Sequence, residues 1–321
     1  MRINSAHTAV TAALISACMA VALTSCRKEE PVTPSTGGGV TSGSDAGDVA
    51  GFFLLNEGNM GSNKATLDYF DYATGVYTRN IYAERNPGVA LELGDVGNDL
   101  GIYGSRLYAV INCSNLVEVM DVETATHIAE IPLPNCRYIV FDGGYAYVSS
   151  YAGPVDINPE YRRGYVAKID TAMLKVVDTC TVGYQPEEMV VVSGRLYVAN
   201  SGGYMAPDYD STVSVIDLTS FEVTREIEVA PNLHQMKVAG DGMIYVSSRG
   251  DYYGLQSSTY IIDPSTDEVV KELPLLQNSD MAVYGDSLFV IATRGATSHW
   301  NTPPDMQYST PGKELPSPAI S

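Results

Sequence analysis

The residues able to do acid–base or metal chemistry are few and scattered. Of four histidines, His7 lies in an apolar leader, His299 in a proline-rich tail and His127 in a turn. His234 is left as the single imidazole among ligand-competent neighbours, and a lone histidine is more often a polar contact than a base or a metal ligand. Glu57, Asp95, Asp99 and Glu187 would make an acid/base pair only by converging in space. The chain contains no H-E-x-x-H, no G-x-S-x-G and no Walker loop. Cys113, Cys136 and Cys180 match no zinc spacing. They are expected as core or strand residues, with a Cys113–Cys136 bridge as the alternative. The expectation is a protein that is not an enzyme and carries no cofactor or metal.

Recognition is the chemistry that remains. Tyr, Asn, Arg and Gln combine planar surface with hydrogen-bonding groups, as binding faces need, and here they collect in long loops. The expected ligand-binding set is Asn56, Glu57, Asn59, Asp95, Asn98, Asn135, Arg137, Tyr138, Tyr151, Tyr184, Gln185, Asn200, Tyr204, Asn232, His234, Arg249 and Tyr252. These loops must be held by a rigid frame, and a period of nearly fifty residues describes it. A glycine turn followed by an apolar strand with a central aromatic recurs at Tyr108, Tyr147, Tyr197, Tyr245 and Phe289, spaced 39, 50, 48 and 44 apart.

A strand ending in aspartate recurs at Asp71, Asp121, Asp170, Asp217 and Asp263, spaced 50, 49, 47 and 46 apart. An aspartate opening a turn accepts the backbone N–H two residues on, so these carboxylates are read as structural. A third strand alternates apolar with charged residues, as in Glu222 to Val229. A fourth is a near-continuous apolar run, as in Tyr138 to Phe141 and Met189 to Val192. Four short strands per repeat with no helical stretch between them predict an all-β fold, a β-propeller of four-stranded blades. The pattern supplies the outer part of a first blade, four fuller blades and the start of a sixth, about five and a half. The turns between first and second strands are short, as in Val192 to Gly194. The long loops fall on the opposite face, which is where binding is expected.

The two ends and the charge set the address. Ala9 to Leu23 is a short, Ala-rich apolar run after Arg2, which reads as a signal-peptide core rather than a membrane span. Leu23-Thr24-Ser25-Cys26 resembles a bacterial lipobox, which implies that Cys26 carries the lipid, palmitate among its acyl chains. The expected organisation is a signal peptide over 1–25, a lipidated flexible tether over 26–50, the propeller over 51–293, and a disordered, non-propeller tail over 294–321. The chain has 19 Lys and Arg against 38 Asp and Glu; without Arg2 the balance is 18 − 38 = −20. That field repels phosphate backbones, so nucleic acid is not an expected partner.

Leu55-Asn56-Glu57-Gly58-Asn59, the segment Leu93-Gly94-Asp95-Val96 and the Asn135-Cys136-Arg137-Tyr138 crossover resemble the BtuG-type surface lipoproteins of gut Bacteroidetes, within the YncE-like propellers. Arg27-Lys28-Glu29-Glu30 resembles the export tag of such surface-displayed lipoproteins. The resemblance implies a seven-bladed ring, so that this chain would be truncated. It further implies attachment to the outer membrane by the lipid alone, facing the cell exterior. The ring would capture cobalamin or related corrinoids as a transported ligand and pass them to a TonB-dependent outer-membrane transporter. A surface propeller that binds a glycan or another nutrient is the second expectation, and a quinone-dependent propeller enzyme the third.

Overall fold

The computed structural model describes residues 35–36, 49–89, 93–155, 161–273, 278–284 and 287–292. The expected signal peptide, Cys26 as the expected lipid attachment, nearly all of the expected tether and the 294–321 tail lie outside the described residues.

The strands form successive antiparallel sheets, one per repeat. The first contains β1 (Ser35–Thr36), β2 (Gly51–Asn56), β3 (Thr66–Asp71) and β4 (Val76–Arg79), in the order β1-β4-β3-β2. The second runs β5 (Gly97–Tyr103), β6 (Arg106–Ile111), β7 (Leu116–Asp121), β8 (His127–Pro132). The third holds β9 (Cys136–Asp142), β10 (Tyr145–Ser150), β11 (Arg163–Asp170) and β12 (Lys175–Tyr184). The fourth comprises β13 (Pro186–Val192), β14 (Arg195–Asn200), β15 (Thr212–Asp217) and β16 (Glu222–Glu228). The fifth is β17 (Leu233–Val238), β18 (Ile244–Ser248), β19 (Ser258–Asp263) and β20 (Glu268–Leu273). A sixth sheet pairs β21 (Asn278–Tyr284) with β22 (Ser287–Ala292).

This is the β-propeller expected from the repeat, with three differences of detail. The apolar runs read as fourth strands instead open each blade: β9, β13 and β17 are its first strands, and β9 packs on β13 as β13 packs on β17. A strand flanked by neighbours on both faces has no polar side to show, which is why its alternation is lost. A short helix, α1 (Ile81–Arg85), stands where no helix was expected; Ile81, Tyr82 and Ala83 are buried, and Ile81 and Tyr82 share a cluster with Leu67 of β3 and Leu107 of β6. Ser35 and Thr36, within the expected tether, pair with Arg79 and Thr78 of β4.

The turn aspartates behave as read. Backbone N–H groups two residues on donate to Asp71, Asp121, Asp170, Asp217 and Asp263 at 2.8, 3.1, 2.8, 2.9 and 2.7 Å. The recurring aromatics Tyr108, Tyr147 and Tyr197 are buried between blades. Tyr245 sits nearer the surface, donating to Asp241, and Phe289 is exposed. Cys113, Cys136 and Cys180 are all free thiols, so the alternative of a Cys113–Cys136 bridge does not hold. Cys136 is buried and donates to the carbonyls of Ile111 and Leu116. His127 opens β8 rather than lying in a turn, its Nδ1 2.7 Å from Glu118.

Candidate functional site

Each crossover into a blade is built the same way. A residue with left-handed backbone precedes the first strand: Val96, Asn135, Gln185 and Asn232, with φ of 59°, 46°, 49° and 61°. Its carbonyl accepts the N–H of the residue just past the second strand. These donors are Asn112, Tyr151, Ser201 and Arg249, at 2.8, 3.1, 3.2 and 2.9 Å. One residue later each first strand carries a bulge. Asn98 is the extra residue in β5, while Arg137-Tyr138, Glu187-Glu188 and His234-Gln235 each oppose a single partner residue. A bulge breaks strict alternation and re-aims side chains. Ser149 Oγ braces one bulge, accepting from Tyr138 N at 3.1 Å and donating to the Glu187 carbonyl at 2.9 Å.

The bulges and the residues past the second strands meet in a cavity of about 390 Å3 on the long-loop face. Seven of the expected residues line it: Glu57, Asn98, Arg137, Tyr151, Tyr204, Arg249 and Tyr252. Asn112, Cys113, Glu187, Gly203, Met60, Val96 and Val155 complete the wall. Glu187 organises the floor. Its Oε2 accepts from Arg137 Nε and Nη2 at 3.3 and 3.2 Å, and its Oε1 accepts from Tyr151 Oη at 2.5 Å. The Arg137 guanidinium also lies 5.0 Å from the centre of the Tyr151 ring. Burial opposes ionisation of Glu187, but Arg137 and Arg249 outweigh it and hold the carboxyl below its usual range.

His234 is a structural acceptor. Burial pushes its pKa down to about 4, so it is neutral at physiological pH. Its Nε2 lies 2.7 Å from Arg249 Nη2 and 2.9 Å from Tyr138 Oη. Arg249 can only donate, so Nε2 is the acceptor and the ring proton sits on Nδ1. Below this level Asp99 accepts from Ile139 N at 2.8 Å, and burial pushes its pKa up to about 6. Glu188 acts likewise at the next pair of blades, accepting from Met236 N at 2.6 Å and pairing with Lys237.

Residues 50–316 match the family described as "Domain of unknown function (DUF5074)". The chain belongs to this family. Its match extends past the 293/294 boundary drawn from the repeat. None of the curated proteins matches the chain. Among solved structures, hydrazine synthase of Kuenenia stuttgartiensis is similar at 18% identity, over 71% of this chain and 68% of that one, with a TM-score of 0.56. BamB from Moraxella catarrhalis is similar at 13% identity, over 76% of each chain, with a TM-score of 0.45. At such identities the first likeness speaks for the fold alone.

In this family member several expected ligand contacts serve the scaffold instead. Asn135, Gln185, Asn200 and Asn232 are buried. Asn135 Oδ1 accepts from Asn112, Gln185 Oε1 from Tyr204 N, and Asn200 Oδ1 from Gly183 N, while Asn232 Nδ2 donates to the Gly250 carbonyl. Asp95 accepts from Gly61 N and Asn63 N and so shapes the Asn56–Asn63 loop. Asn56 donates to Thr66, Asn59 closes a turn with Ser62, and Tyr184 N–H donates to Asp210. Tyr138 and His234 stand behind the wall and aim Arg249. Of the four carboxylates weighed as a pair, Glu57 and Glu187 share the cavity while Asp95 and Asp99 are committed to backbone N–H groups. Asn112, Cys113 and Gly203 carried no signal beyond following a second strand.

Proposed function

We propose that this protein reversibly captures a corrinoid on its long-loop face, without catalysis, and passes it to a TonB-dependent outer-membrane transporter. What supports the reading is the combination of a rigid floor with an aromatic mouth. Tyr204 and Tyr252 are each 65% exposed at the cavity rim, and Met60 is 60% exposed beside them. The volume lies within the range of small-molecule sites. A ring as broad as a corrin would seat one edge in the cavity and lay its face against the tyrosines. Lipidation at Cys26 would hold the domain at the cell exterior, where such a ligand is met; among the described residues no helix is long and apolar enough to cross a membrane.

Calorimetry with cyanocobalamin tests the capture. Binding at micromolar concentration or tighter is expected, with Tyr204→Ala and Tyr252→Ala each weakening it by about 1–3 kcal/mol. Cys113 is half-buried and lines the cavity, whereas Cys136 and Cys180 are buried, so bound ligand should also slow alkylation of Cys113. No binding at micromolar concentration, together with binding of a glycan, would replace this reading with the nutrient-binding one. Cys26→Ala should release the protein from membrane fractions; a variant that stays membrane-bound overturns the anchor.

A further inference from the structure

We propose that the cavity floor takes one singly charged oxyanion of the ligand, a carboxylate or a phosphodiester, between the guanidinium groups of Arg137 and Arg249. The proposal rests on the cavity being a ligand site and narrows what that ligand must carry. The floor contains two guanidinium cations and one carboxylate, Glu187. His234 accepts from Arg249 and Tyr151 donates to Glu187, so neither balances the second cation. The floor therefore carries one positive charge more than Glu187 balances, on the partly exposed Arg249 beside the more buried Arg137, both open to the cavity.

The donors are also available. Arg137 spends Nε and Nη2 on Glu187, and among the described residues its Nη1 makes no hydrogen bond. Arg249 spends Nη2 on His234, and its Nη1 stands 3.9 Å from Glu187, beyond hydrogen-bond reach. Guanidinium groups held this way favour planar or tetrahedral oxyanions. Glu57, the other carboxylate of the lining, is exposed at the mouth and screened by water. A polyanion would meet the field of a molecule with net charge −19, so one anionic group on an otherwise neutral body fits best.

Two measurements on the whole protein test this. In the first, thermal unfolding is followed with dimethyl phosphate or acetate against sodium chloride at equal ionic strength. Either monoanion should raise Tm above the chloride control, and the better of the two distinguishes phosphodiester from carboxylate. Arg249→Gln should abolish the rise, Arg249→Lys should keep some of it, and Arg163→Gln, at a surface pair with Glu226, should leave it intact. In the second, cyanocobalamin is compared with dicyanocobinamide, which lacks the phosphodiester. The former should bind about tenfold or more tightly, a gap that closes in Arg249→Gln. Monoanion stabilisation without cobalamin binding would sink corrinoid capture and leave the oxyanion site standing. Cobalamin binding with no monoanion effect and no preference over cobinamide would overturn the oxyanion site alone.

Discussion

Glu187 holds three side chains from the two neighbouring blades: Arg137 at 3.2 Å, Tyr151 at 2.5 Å and, more loosely, Arg249 at 3.9 Å. Glu187→Gln keeps the shape but leaves Arg137 desolvated without its counter-charge. Breaking a buried pair from one side costs about 3–5 kcal/mol, so a loss of that size is expected in urea unfolding. A loss below about 1 kcal/mol, the size of an exposed pair, would mean that water already reaches Arg137. Asp99 makes a second prediction at this scale. Its folded pKa of about 6 stands above the ordinary 3.8 because of burial. Between these values the folded protein keeps a proton that the unfolded chain has released, so stability falls as pH rises through the window. The fall attributable to Asp99 is on the order of 3 kcal/mol. Asp99→Asn should remove it, read as a difference from the native protein in Tm that grows from pH 4 to pH 7. A constant difference would refute the assignment.

At the scale of elements, one extra residue in the first strand decides which side chains reach the cavity. Ser149, fully buried, ties the β9 bulge to the β13 bulge through Tyr138 N and the Glu187 carbonyl. Ser149→Ala should destabilise by about 1–3 kcal/mol, because two backbone groups lose their partner. It should also weaken ligand binding more than a matched change on the short-loop face, since the bulge aims Arg137. The turn aspartates provide that matched change. Asp121 accepts from Glu123 N, Thr124 N and Thr124 Oγ1, and these bonds hold its pKa below the usual range. Asp121→Ala should lower Tm without touching binding, and Asp121→Asn should retain most of the stability. The native contribution of this carboxylate is present above the unfolded pKa and is lost as pH falls through the folded one.

For the whole molecule, blades pack through buried tyrosines while the surface carries a large excess of acid. With net charge −19, self-repulsion works against the compact state. Raising sodium chloride from about 0.02 to 0.5 M shortens the screening length severalfold, and Tm should rise. A fall would mean that ion pairs such as Arg195–Asp267 and Lys237–Glu188 contribute more than the repulsion costs.

By itself the sequence determined the repeat and most of its local consequences. Asp71, Asp121, Asp170, Asp217 and Asp263 are legible because an aspartate-opened turn is closed within three residues. Tyr108, Tyr147 and Tyr197 are legible because each stands within an apolar strand that recurs after a glycine turn. The long loops could be placed on one face, and Arg137, Tyr151, Tyr204, Arg249 and Tyr252 among the candidates, from chain order alone. Tertiary structure decided the rest. Asn135, Gln185 and Asn232 look like ligand contacts in sequence, yet their places at the left-handed crossovers commit their amides to neighbouring loops. Glu187 meets Tyr151 across 36 residues, and Tyr138 meets His234 across 96. Contacts at those separations depend on the angle between blades and on a bulge of one residue, and neither leaves a mark on the apolar pattern.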